Sequence, residues 1–377
     1  MHFDFIVIGA GMAGLSMAAE LSRSGRVAVI ERETQPGYHS TGRSAALFSE
    51  LYGNATIRGL TRGSRSFLFN PPAGFADHPL VSPRGTLYFA ATDELASLDA
   101  LALSLGTDSK PLRLDAAETL SRLPVFKPGY LGGALYEQGS VDIDVAALLQ
   151  GYGALCHRQH VSLFFNNPVE AIVREGALWQ VRSATTTLRA PVVVNAAGAW
   201  GDVIAQLAGV AAVGLVPKRR TAVTIDVPGG ISAQHLPAAV HAAETFYFKP
   251  DAGRLLLSPA DETPSDPCDA QPEEIDIAIA VDKFETASGS TVRRLHSRWA
   301  GLRSFVADKT PVVGFDDQVP GFFWLVGQGG YGIQTAPAMA RAASALARHA
   351  PLPADLLAHG VSAEVLAPGR PSLHRAS

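Results

Sequence analysis

The string Gly9-Ala10-Gly11-Met12-Ala13-Gly14, set between an apolar run and a stretch of small residues, constrains this chain more than any other feature. Phe3 to Ile8 reads as a buried strand, Leu15 to Ser24 as a helix and Val27 to Glu31 as a second strand, which predicts a βαβ unit at the N-terminus. In such a unit the glycines allow a tight turn, a close approach of backbone N–H groups to a pyrophosphate, and close helix packing. The helix N-terminus then favours the anion. Glu31 closes the second strand about 20 residues on, where a carboxylate accepts a ribose hydroxyl and disfavours a 2′-phosphate. A dinucleotide without that phosphate is the expected ligand, with Gly9, Gly11, Met12, Ala13, Gly14, Glu31 and Arg32 as its first contacts.

FAD and NAD both satisfy this unit, so the choice rests on three further stretches. These are the loop Ser40 to Ala46 (Thr41, Gly42, Arg43, Ser44, Ala45 and Ala46), the run Val194 to Trp200 (with Ala197 and Gly198), and Gly327 to Gln334 (with Gly329, Gly330, Tyr331, Gly332 and Ile333). Each is small-residue backbone suited to close approach. A strand that ends in Gly-Gly and opens a helix can aim backbone donors and a positive helix end at the negative charge of a reduced flavin. The three together favour FAD.

Further along, Val145 to His157 reads as a helix, and Ser162 to Phe165, Ala171 to Arg174, Trp179 to Arg182 and Phe322 to Val326 as strands. Thr245 to Lys249 and Arg254 to Leu257, joined by Pro250-Asp251-Ala252-Gly253, predict a hairpin. Ile333 to His349 reads as a last helix. The expected fold is α/β: a Rossmann-like FAD-binding domain made of 1–80, 142–212 and 300–367, interleaved with an α+β substrate domain of 81–141 and 213–299 on a mostly antiparallel sheet. A disordered tail is expected at 368–377.

Composition closes off other classes. Of 377 residues 47% are hydrophobic and 18% charged, which is too apolar for a disordered chain. A formal charge of −4 without a long basic block leaves no footprint for nucleic acid. Cys156 and Cys268 stand far apart in no ligand-like spacing, arguing against a disulfide framework or a metal site and for a reducing cytoplasm. No run reaches the ~18 apolar residues of a membrane span.

The chain resembles the D-amino acid oxidase superfamily of FAD enzymes, and within it the bacterial D-arginine dehydrogenases. The strings that carry this are Val7 to Gly14, PGYHSTGRSAA (Pro36 to Ala46), VNAAGAW (Val194 to Trp200), PKRR (Pro217 to Arg220), Phe246 to Ala252, WAGLRSFVAD (Trp299 to Asp308) and QGGYGIQT (Gln328 to Thr335). The resemblance implies noncovalent FAD, contacted also by Val169 and Arg303, and oxidative deamination by hydride transfer from Cα to flavin N5. The imino acid then hydrolyses to a 2-oxo acid and ammonia. It places Arg220 and Arg303 on the substrate carboxylate, Tyr247 and Tyr52 as hydroxyl partners, and Gly330 and Gln334 beside flavin and substrate. An arginine suits that role because its planar fork grips a carboxylate in a bidentate pair.

Taken alone, Arg220 in its basic run reads as a solvated side chain, Tyr247 as a sheet residue, His39 as a loop histidine and Lys249, beside a turn, as solvated. Two departures bear on the substrate. Thr86 stands where the subgroup has a glutamate that pairs with a guanidinium, and Leu47 where it has an active-site histidine. Both imply uncharged D-amino acids. The same scaffold could instead oxidise N-substituted glycines, opines or 2-hydroxy acids, or serve as an electron-relay subunit. Quinone, an electron-transfer protein and oxygen all remain open as acceptors.

Overall fold

The computed structural model describes residues 1–106 and 109–373. Its centre is a six-stranded sheet in the order Val312–Phe315, Phe322–Val326, Val192–Asn195, Phe5–Ile8, Val27–Ile30, Ser162–Phe164. All neighbours are parallel except the edge strand Val312–Phe315. The strands are near-continuous apolar runs, as a parallel sheet covered on both faces requires. Alternation along the first strand shows why: Phe5 and Val7 face a core with the helices Met12–Leu21, Val145–Arg158 and Gly332–Ala347, while Ile6 and Ile8 face one with Trp179, Val181 and Leu188. Those last residues belong to a three-stranded antiparallel sheet, Ala171–Glu175, Leu178–Arg182 and Thr187–Ala190.

A second, nine-stranded sheet is largely antiparallel and lies beside the first. Its middle holds the long strands Val216–Ile225 and Leu295–Phe305, the hairpin Tyr247–Asp251 with Arg254–Ser258, and the pair Thr86–Ala91 with Leu131–Glu137. The expected hairpin is present, and Ala252 and Gly253 both take positive φ (46° and 78°), the geometry of a tight two-residue turn that matches strand twist. The helix Glu274–Ser288 covers one face through Ile277, Ala280 and Phe284. This mixture of a wound parallel sheet and an antiparallel sheet is the α/β fold expected from the sequence.

Three boundaries move. The first helix begins at Met12 rather than Leu15, so that its first turn lies inside the glycine string. Thr187–Ala190 and Leu295–Phe305 are strands that the sequence pattern left unmarked. The tail expected to be disordered is packed as far as Leu373: Arg370 is buried, with Nε donating to Asp308 Oδ2 at 2.7 Å and Nη2 to the Thr310 carbonyl at 2.7 Å. A single arginine with several internal partners outweighs the polar composition around it. Residues 374–377 lie outside the described residues. Among the described residues no helix is long and apolar enough to cross a membrane.

Candidate active site

Three connected chambers run along the junction of the two sheets. The first follows the glycine turn. Gly9 leaves the strand with φ 104°, and a Cβ there would meet the Ala196 carbonyl oxygen at 2.6 Å. A Cβ on Gly14 would stand 1.9 Å from the Gly9 carbonyl oxygen, so this glycine lets the helix seat on the turn and is not itself on the wall. Gly42 is likewise a packing position, closed by the Gly37 carbonyl oxygen at 2.7 Å from a Cβ. Glu31 Oε2 accepts from the Ala10 N–H at 2.6 Å and Oε1 from the Glu33 N–H at 2.9 Å, which fixes the carboxylate at the end of its strand. Thr41 Oγ1 accepts from the Met12 N–H at 3.0 Å.

Arg32, Val169, Ala197, Gly198 and Trp200 complete this chamber, with the Arg32 guanidinium 5.0 Å from the Trp200 ring. His39, taken as a loop histidine, tilts against the same ring at 4.6 Å and bonds Glu33 through Nε2 at 3.0 Å. Among the described residues its buried Nδ1 has no partner.

The second chamber is lined by backbone from three distant stretches: Gly11, Met12 and Ala13; Thr41, Ser44 and Ala45; and Gly329, Gly330, Gly332 and Ile333. Gly329 has φ 53°, and a Cβ on it would collide with the Phe305 ring at 2.2 Å. Arg43 reaches this wall, but its guanidinium donates to the Ala270 and Ala300 carbonyls at 2.8 and 3.0 Å and pairs with Asp269. It anchors the loop Ser40 to Ala46. Tyr331 packs away from the chamber, its ring 4.8 Å from that of Tyr52 and 6.3 Å from that of Phe305.

The third chamber, of about 100 Å³, opens from the second through Ser44, Ala45, Arg220, Tyr247, Arg303 and Gly330, which border both. Strand periodicity explains the arginines. Arg220 lies opposite Gly301 and Lys218 opposite Arg303, so Arg220 and Arg303 are diagonal neighbours on one face of the paired strands. Arg219 points the other way, to Asp276 at 3.0 Å and to Glu273. The basic run is therefore not a solvated face: Arg220 is 8% exposed, with Nε donating to the Asp261 carbonyl at 2.8 Å and Nη2 3.4 Å from Glu262.

Among the described residues Arg303 is paired with no carboxylate; Nη1 donates to the Tyr52 hydroxyl at 3.3 Å. Burial opposes its charge, yet the hydroxyls of Tyr52, Tyr247 and Tyr331 around it hold the pKa above the ordinary arginine value. For Tyr247 burial works upward, but the guanidiniums of Arg303 and Arg220 and the Ser258 hydroxyl bring the phenol below its usual value. For Tyr52 burial outweighs Arg303 and the phenol is raised. Two buried cations facing two hydroxyls, one cation lacking a counter-ion among the described residues, have the chemistry to bind an anion such as a carboxylate.

Leu47 and Ala46 are on the chamber wall, as are Val240, Phe246 and Phe248. Two expected pocket residues are not. Thr86 is fully buried behind the wall, its hydroxyl 2.7 Å from that of Ser140, and the residue of that strand that reaches the chamber is Tyr88. Gln334 also stands behind it, accepting from the Ser49 N–H at 3.1 Å and donating to Thr61 Oγ1 at 2.9 Å.

Lys249, expected to be solvated, lines the chamber and donates to Asp142 Oδ1 at 2.7 Å; Arg84 holds the other oxygen at 2.7 Å. Ser49, Glu137 and Glu244 carried no sequence signal. Tyr88 had one available clue, its period-2 spacing from Thr86 on the same strand.

A cleft walled by glycine turns, with buried arginines and tyrosines at its far end, is the architecture of a flavin oxidoreductase. The chain belongs to the FAD dependent oxidoreductase family (DAO), which it matches over residues 4–346. It is similar to FAD-dependent oxidoreductase domain-containing protein 1 of Bos taurus (25% identity, 90% of this chain and 80% of that protein). It is also similar to the glycine oxidase of Bacillus licheniformis (24%, 89% and 90%). The solved L-alpha-glycerophosphate oxidase of Mycoplasma pneumoniae with FAD bound shares the fold at TM-score 0.80, with 20% identity over 92% of this chain and 95% of that one. FAD is the cofactor, and the chain is an FAD-dependent oxidoreductase. The residues present fit it: a chamber walled by Gly9, Gly11 and Gly198, a helix N-terminus, and a fixed carboxylate at Glu31.

Proposed function

We propose that the protein oxidatively deaminates D-amino acids with uncharged side chains, using noncovalently held FAD. The observation that supports this best is Arg303, buried, charged and without a carboxylate, next to Arg220, Tyr247 and Tyr52. The carboxylate of the substrate would complete the pairing. FAD supplies the two-electron acceptor for the hydride that leaves Cα, and the imino acid then hydrolyses to a 2-oxo acid and ammonia.

In this reading the glycine turn, Glu31 and Thr41 hold the nucleotide, and Met12, Ala45, Gly330 and Ile333 border the flavin ring. Arg303 and Arg220 clamp the carboxylate, and Tyr52 and Tyr247 orient it, in a chamber walled otherwise by Leu47, Val240, Phe246 and Phe248. The preference for uncharged side chains rests on Leu47, Val240, Phe246 and Phe248 and no longer on Thr86, because Thr86 does not reach the substrate. The site strings resemble those of the D-arginine dehydrogenase subgroup, and the D configuration rests on that resemblance.

Anaerobic mixing with D- and L-amino acids, sarcosine and 2-hydroxy acids, following the flavin band, tests the proposal. Uncharged D-amino acids are expected to bleach it with a kcat/KM at least tenfold above that for D-arginine. Bleaching by sarcosine or glycine alone would move the protein to the N-substituted glycine class, a reading favoured by its glycine oxidase relative. Bleaching by 2-hydroxy acids alone would move it away from amines altogether.

A further inference from the structure

Three side chains on separate elements form a hydrogen-bonded row that begins on the wall of the third chamber and runs into the protein. Tyr88, in the strand Thr86–Ala91, and Ser49, just after the strand Leu47–Phe48, both line the chamber. Their hydroxyl oxygens are 2.7 Å apart, and Ser49 Oγ donates to Glu137 Oε2 at 2.5 Å. Glu137 ends the strand Leu131–Glu137 behind the wall, and its Oε1 accepts from the Glu50 N–H at 2.7 Å.

Counting protons fixes the direction of this row. An ionised carboxylate can only accept, and a serine hydroxyl has one proton to give. Ser49 gives that proton to Glu137, so its lone pairs take the Leu51 N–H at 3.3 Å and the Tyr88 O–H. Tyr88, with its proton committed to Ser49, offers only lone pairs to the chamber. When Glu137 is protonated the order reverses: the acid donates to Ser49, Ser49 donates to Tyr88, and Tyr88 turns its proton toward the chamber. The state of a carboxyl behind the wall decides whether a hydroxyl on the wall accepts or donates.

The surroundings of Glu137 put that change within reach of neutral pH. Burial raises its pKa, the bonds from Ser49 and the Glu50 N–H lower it, the Glu50 carboxylate raises it and Arg65 on the helix Ala55–Phe69 lowers it; the balance is about 7. Arg65 is itself paired with Glu50 at 2.9 Å. Tyr88 is raised well above its usual value, by burial first and by Glu137 next, so it passes protons as a neutral hydroxyl.

We propose that Tyr88, Ser49 and Glu137 are the relay that removes the amine proton of the substrate before oxidation, an inference that rests on the amine reading of the chamber. The substrate ammonium gives one proton to Tyr88 Oη. Tyr88 gives its own to Ser49 Oγ, and Ser49 gives its own to Glu137 Oε2, which ends as the neutral acid. The nitrogen keeps the electron pair of the broken N–H bond, and that pair forms the C=N bond as hydride leaves Cα for the FAD. Glu137 then returns its proton to water on the Glu50 and Arg65 side, where both side chains are part-exposed. Tyr88 is the group that meets the substrate; Ser49 and Glu137 act through it, and Gln334 positions Ser49.

The test is the rate of anaerobic flavin reduction by the best uncharged D-amino acid, with full FAD content verified in every variant. In the wild type the rate is expected to fall as pH drops through about 7, because the relay loses its acceptor. Glu137→Gln should lose that limb and be slower by about 10²-fold, with KM changed by less than about threefold, as should Tyr88→Phe and Ser49→Ala. An infrared carboxylic-acid band that titrates near neutrality in the wild type without substrate, and is missing in Glu137→Gln, reads the same group independently of turnover. Wild-type pH profiles in Glu137→Gln and Tyr88→Phe, both loaded with FAD, would overturn the relay while leaving the amine reading intact. If no amine reduces the wild-type flavin, the amine reading fails first and the relay falls with it.

Discussion

The two ends of the cleft are built by different means. At the nucleotide end the walls are backbone: Gly9, Gly11 and Ala197 in the first chamber, Gly329 and Gly330 in the second. Their contribution is the absence of side chains where a ligand or a neighbouring turn must approach. At the substrate end the walls are long polar side chains, Arg220, Arg303, Tyr52, Tyr88, Tyr247 and Lys249, and all but Tyr247 are held by a partner far away in sequence. The first kind of site tolerates no added atom; the second tolerates change in proportion to how well the remaining partners compensate.

The sharpest way to break this contrast is at Gly14. Gly14→Ala places a methyl 1.9 Å from the Gly9 carbonyl oxygen, an overpacking against backbone that costs on the order of 3 kcal/mol or more. The flavin-to-protein absorbance ratio of the folded fraction should fall more than tenfold, and a normal ratio would mean the turn is more pliable than a glycine cradle should be. Next in size is Arg303→Lys, which keeps the charge but loses the planar fork. It should lower kcat/KM by about 10²-fold or more, about 2–4 kcal/mol, while leaving FAD content unchanged.

Gly330→Ala joins the two ends, because a Cβ there would lie 2.8 Å from Arg303 Nη1. A cost of about 1–3 kcal/mol is expected, appearing as a raised KM with FAD still bound; loss of FAD instead would assign Gly330 to the cofactor alone. Lys249→Met removes one of the two cations on Asp142 but leaves Arg84, which holds the carboxylate at 2.7 Å. Thermal unfolding should register a loss of about 1–2 kcal/mol, below the full penalty for stranding a buried charge. A control at the surface, Arg298→Ala, breaks an exposed pair with Glu274 and should stay within about 0.5 kcal/mol.

What could be read without the structure follows the same divide. The βαβ unit, the hairpin and the strand Phe322–Val326 were legible because their signals are local: period, glycine turns and apolar runs of a few residues. Arg220, Arg303, Tyr52 and Tyr247 were found through resemblance, and the structure brings all four to one chamber. Thr86 was misplaced by one strand period: Ser140 takes its hydroxyl, and Tyr88, two residues on, takes the wall. Lys249 was misjudged because its neighbour Pro250 suggests a surface turn, whereas Asp142, 107 residues away, draws the ammonium inward. Glu137 and Ser49 gave no local sign at all.

The sequence by itself determined the nucleotide-binding turn, the order of strands and helices near it, and the positions where only glycine can stand, because backbone sterics and side-chain periodicity act over a few residues. Only the tertiary structure decided which polar groups are buried together, which arginine of Lys218-Arg219-Arg220 faces the substrate, and which carboxyl is left poised near neutrality. Burial and charge partners come from strands that meet in space after long excursions of the chain. Their effect on a given side chain does not exist until the sheets have paired.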